Sequence, residues 1–126
     1  MAILSEESKV HSGQKEWNLL KVFNDQATDE TKSDEVDVTN AEQISLIVDT
    51  GAGVSAGVIK LEGSAIPGYT GTWVELGSLT VTVASKQYAV SVGIGSTAGI
   101  PLKVVRARIE TVISNGTIDA YIGVQR

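Results

Sequence analysis

The chain has 126 residues, of which 42% are apolar and 20% charged, with a formal net charge of −5 and a sequence pI of about 4.8. That length and balance give one domain able to bury a core without a metal or disulfide, and the lack of cysteine excludes disulfides, thiol catalysis and Cys-ligated metal centres. Val (16), Ile (11) and Thr (11), with 13 Gly and only 2 Pro, favour strands joined by tight turns.

Residues 1–15 lack a sustained apolar period and read as a flexible arm. Acids stand in MAILSEESK where an export signal needs a basic and then an apolar segment, so no Sec-type signal is expected. Trp17, Leu19, Leu20, Val22 and Phe23 form the first apolar cluster, as a strand or a short helix. Residues 1–42 hold ten acids against four lysines, and Asn24–Asn40 reads as a solvated acidic loop with a short strand at Glu35–Thr39. Ile44, Leu46 and Val48 alternate in a clear strand that ends at a TGAG turn. Val54–Leu61 is a weaker strand whose core face shifts, which predicts a bulge near Gly57. Gly63–Gly71 is a loop, Thr72–Leu76 a strand, and Gly77-Ser78 a tight connection. Leu79–Val83 and Tyr88–Val92 read as a hairpin turned at Ala84–Gln87. The stretch Gln87–Leu102 is the longest without charge, but its Ser, Thr, Gly and Pro make it no membrane span. After a glycine-rich loop at Gly93–Pro101, two long strands turn Val105, Ala107 and Ile109, then Ile118, Ala120, Ile122 and Val124, to the core. Asn115-Gly116 between them is a strong hairpin signal. The fold class is therefore all-β: an antiparallel β-sandwich of jelly-roll type, residues 16–126, behind the arm at 1–15.

Residue types that carry catalysis are scarce. The single histidine, His11, sits in the arm and reads as exposed. Asp25, Asp29, Glu30, Asp34, Glu35 and Asp37 could offer calcium hard oxygen ligands, but without the spacing of an EF-hand loop. Glu62, Glu75 and Glu110 qualify as glycosidase acids by type only. Gly51–Gly57 fits a relaxed G-x-G-x-x-A pattern, yet no helix follows to hold a phosphate. No enzyme activity, cofactor or metal is expected. Arg106 and Arg108 lie on one strand face as a cationic row for contact with another copy or an acidic partner. Tyr69 and Trp73 could form a sugar-binding platform, although Trp73 also fits a core position. The acidic balance opposes nucleic-acid binding.

The closing pattern LKVVRARIETVISNGTIDAYIGVQ, in a short cysteine-free β-chain with an N-terminal arm, resembles small structural proteins of tailed bacteriophages. The nearest class is the capsid decoration, or head-stabilising, protein. The resemblance rests mainly on residues 71–125. It implies a non-enzymatic jelly-roll-like virion protein, made in the host cytoplasm and seated on the capsid surface, commonly as a homotrimer. Its implied partner is the major capsid protein, with neither nucleic acid nor membrane. In such a role Ile3, Leu4 and Val10 would anchor the arm to the capsid. The alternative is a carbohydrate-binding sandwich of a tail or fibre.

Overall fold

Alternating apolar and polar residues build strands whose apolar rows must find a second layer. In the computed structural model, which describes residues 9–12, 15–94 and 101–126, that layer is a second sheet. Nine strands are present among the described residues: β1 (Lys9–Ser12), β2 (Lys15–Gln26), β3 (Val36–Asp37), β4 (Gln43–Thr50), β5 (Ala56–Ser64), β6 (Val74–Thr80), β7 (Gln87–Gly93), β8 (Val104–Ser114) and β9 (Ile118–Gln125). One sheet has the order β1-β2-β9-β4-β7 and the other β3-β8-β5-β6. Every pairing is antiparallel.

The core lies between the sheets. Ile44, Leu46 and Val48 of β4 and Ile118, Ala120, Ile122 and Val124 of β9 face Ile59 and Leu61 of β5 and Val105, Ala107 and Ile109 of β8. All are at most 2% exposed. Full burial of one such branched side chain stabilises the fold by about 1.5–3 kcal/mol. The expected β8 and β9 core residues are all in place. The bulge near Gly57 is present as well: the β5–β8 register shifts on both sides of Val58. A Cβ at position 57 would run into Ile113.

Several expected connections are different. Asn115-Gly116 does not close a hairpin, because β8 and β9 lie in opposite sheets. β8 is hydrogen-bonded by β3 and β5, and β9 by β2 and β4, so neither has an edge left for the other. The Asn115 turn, at φ 65°, instead arches between the layers, its Nδ2 donating to Ser55 Oγ at 2.8 Å. Likewise Leu79–Val83 and Tyr88–Val92 are not a hairpin. Gly77-Ser78 lies inside β6, the ladder ends at Thr80, and Val81–Lys86 crosses to the other sheet. Thr50 Oγ1 anchors that crossing, donating to Val83 O at 2.7 Å.

Part of the expected arm is described. Lys9–Ser12 pairs with β2 from Lys9↔Asn18 to Ser12↔Lys15, which sets Val10 opposite Trp17. Lys15 itself begins β2. Ile3 and Leu4 lie outside the described residues.

Candidate functional site

The outward rows of β5 and β8 each carry charges of both signs, and their register sets Glu62 opposite Arg106 and Lys60 opposite Arg108. Glu62 is the hub, only 5% exposed. Its Oε1 accepts hydrogen bonds from Arg106 Nε at 3.1 Å, and its Oε2 from Arg108 Nε at 2.8 Å. Arg106 Nη2 also lies 3.1 Å from Oε1. Such charge-assisted contacts are among the stronger hydrogen bonds. Arg108 Nη1 reaches Glu30 Oε2 at 3.1 Å. Lys60 Nζ joins Glu75 Oε1 at 2.6 Å to Glu110 Oε2 at 2.5 Å.

Burial works against the charge on Arg108, but the hydrogen bonds and charge of Glu62 outweigh it, and its pKa lies above the ordinary value. The hydrogen bonds from Lys60 to Glu110 and Glu75 raise the lysine's pKa. Arg106 stacks on Trp73, its guanidinium carbon 4.0 Å from the ring centre. Trp73 Nε1 donates to Tyr69 O at 2.8 Å. Beside this stack is an open cleft of about 270 Å³, lined by Glu30, Lys32, Glu62, Thr72, Trp73 and the two arginines.

Chemically this is a ladder of paired charges. Both Glu62 oxygens are engaged by guanidinium groups, which holds the carboxylate in place. Arg106 and Arg108 are therefore not a free cationic row: their side chains are 13% and 17% exposed and turned toward Glu62. Nor do Tyr69 and Trp73 form a displayed platform. Tyr69 is 41% exposed, but Trp73 is 5% exposed and its face is covered by Arg106.

The acidic segment is tied down locally. Glu35 accepts from Gly68 N at 2.9 Å, joining this segment to the Gly63–Gly71 loop. Asp37 Oδ1 accepts from Thr39 N at 2.8 Å, and that hydrogen bond lowers the Asp37 pKa. Among the described residues, no three His, Asp or Glu side chains are grouped to hold a metal ion. Nothing local in the sequence joins Glu62, Glu75 and Glu110, or marks Lys60 as their partner. The missing signal was the matched alternation of Lys60 and Glu62 on β5 with Arg106, Arg108 and Glu110 on β8.

No protein-family model and no curated protein matches the chain. Its fold is similar to that of the SPBc2 prophage-derived protein YomS, with a TM-score of 0.58 at 13% identity over 93% of this chain and 99% of that one. It is also similar to the K1 cleaved adhesin domain of Lys-gingipain from Porphyromonas gingivalis W83. There the TM-score is 0.58 at 11% identity, over 89% of this chain and 73% of that one. The K3 domain of the same protein gives 0.57 at 11% identity, over 88% and 73%. At these identities the likeness is one of fold.

Proposed function

We propose that the chain is a non-enzymatic structural protein of a phage particle that binds the outer surface of the head through the major capsid protein and stabilises the lattice. The observation that carries this reading is the end-to-end match to a prophage-derived protein of the same extent. The strand order β2-β9-β4-β7 over β3-β8-β5-β6 supports a jelly-roll winding. The test is add-back of purified protein to heads that lack it, followed by electron microscopy. Density for the sandwich on the head, and heads that resist heat better, are expected. Heads that take up no protein would overturn the reading.

A second reading, a carbohydrate-binding module of a tail or fibre, is favoured by the fold shared with two adhesin domains and by the cleft beside Trp73. It predicts glycan binding that Arg106→Ala weakens. A glycan array without binders would remove it.

A further inference from the structure

Among the described residues, four strands lie at sheet edges: β1, β3, β6 and β7. An open edge exposes unpaired backbone groups, and natural proteins blunt it with charge, proline, bulges or brevity. Three of the four have such a device. β1 contains Lys9, β3 is two residues long and contains Asp37, and β6 contains Glu75 beside a register shift. β7, Gln87–Gly93, has none. It has no charged residue and no proline, and it pairs with β4 in an unbroken register from Gln43↔Gly93 to Asp49↔Gln87.

The hydrogen bonds flanking this ladder identify which groups are open. Thr50 N donates to Lys86 O, and Ile94 N to Glu42 O. With period two, Tyr88, Val90 and Val92 therefore turn their backbone groups toward β4. Gln87, Ala89, Ser91 and Gly93 turn theirs away, where no described strand pairs with them. The inward side chains of Tyr88, Val90 and Val92 pack on the core but stay half-buried, so the edge is apolar as well as unpaired.

We propose that the β7 edge binds the β7 edge of a second copy of this chain, antiparallel, about a two-fold axis at Val90. This inference is independent of the head-binding proposal. The strand suits its own copy. Centring on Val90 uses all seven residues, matching Ala89 with Ser91 and Gln87 with Gly93 of the copy as hydrogen-bonded pairs. On the inner side the same register places Tyr88 beside Val92 of the copy, an aromatic–β-branched pair of a kind that favours sheets. No like charges meet. Because the same patch serves both partners, the contact closes a dimer; a trimer would need a different surface.

Two variants test this in the full chain. Ala89→Pro removes an N–H that points away from β4, so the ladder survives while strand addition is blocked. Val90→Cys puts a thiol opposite its own copy. Facing non-hydrogen-bonded residues have Cα atoms about 4.5 Å apart, within disulfide range, and the chain has no other cysteine. Expected are a wild-type dimer by sedimentation, a monomer for Ala89→Pro with unchanged circular dichroism, and a covalent dimer for oxidised Val90→Cys but not for Val83→Cys. A monomeric wild type would overturn the proposal. So would an oligomer in which oxidised Val90→Cys fails to cross-link, which also decides the matter if Ala89→Pro misfolds.

Discussion

The two sheets turn unlike outer faces to solvent. On β5, β6 and β8 the outward rows are ionic, and Lys60, Glu62, Arg106 and Arg108 are tied into one ladder. On β4, β7 and β9 they are mostly uncharged: Ser45 shares a 2.6 Å hydrogen bond with Ser91, and Ile47 lies between Tyr121 and Ala89. Charge on that face gathers at one end, where Asp49 stands opposite Asp119 and Lys21 Nζ is 3.4 Å from the Asp119 carboxylate. Both faces cover the same core. The difference teaches where association is hindered, because docking on the ionic face must desolvate paired charges, whereas the β7 edge, which has no charged residue, carries no such barrier.

The largest expected effect breaks the ionic face at its hub. Glu62→Ala leaves two guanidinium groups without their carboxylate in a mostly buried setting, and removing one partner of such a pair costs about 3–5 kcal/mol. On the neutral face, Ser45→Ala removes one hydroxyl–hydroxyl bond, at about 1 kcal/mol. Urea denaturation of both variants measures the contrast. Equal losses would mean that the two faces do not differ in the way described.

A smaller effect is expected at the arch between β8 and β9. A Cβ on Gly116 would come 2.8 Å from Val54 Cγ2 and 2.9 Å from Ala52 O. Gly116→Ala should therefore destabilise the fold by roughly 1–3 kcal/mol, in the range of overpacking. A melting temperature equal to wild type would show that the arch yields easily.

That arch also marks how far the sequence could be read. Period two in residues 104–125 identified both strands and their inward residues correctly, because burial is recorded locally as alternation. Asn-Gly recorded a turn that favours positive φ. It did not record whether the flanking strands pair with each other or stack across the core. That depends on which edges β5, β3, β4 and β2 have already taken, a long-range matter. The crossing at Val81–Lys86 misled for the same reason. The site was half legible. Arg106 and Arg108 were seen as a row, but their acids come from β5 and the Glu30 loop, and only the register brings these together. Trp73 read two ways from sequence, and Arg106 stacked on its ring decides for the covered one.

The smallest effect separates the two sheets by the sign of their alkaline response. Lys60 belongs to the ionic face, and its hydrogen bonds to Glu110 and Glu75 raise its pKa above the ordinary 10.5. The folded state then holds this proton longer than the unfolded chain. The contribution is complete below 10.5 and disappears as the pH rises through the folded value. Tyr88 belongs to β7. Its oxygen accepts from Thr82 N at 3.1 Å and Val83 N at 3.0 Å, and the Thr82 backbone bond leads in lowering its pKa below the ordinary 10.0. The folded state gives up this proton sooner, so the contribution grows as the pH rises through the folded value and is complete above 10.0. Urea midpoints measured across the alkaline range should therefore fall less steeply for Lys60→Met than for wild type, and more steeply for Tyr88→Phe. If both variants changed the slope in the same direction, the assignment of opposite responses to the two sheets would fail.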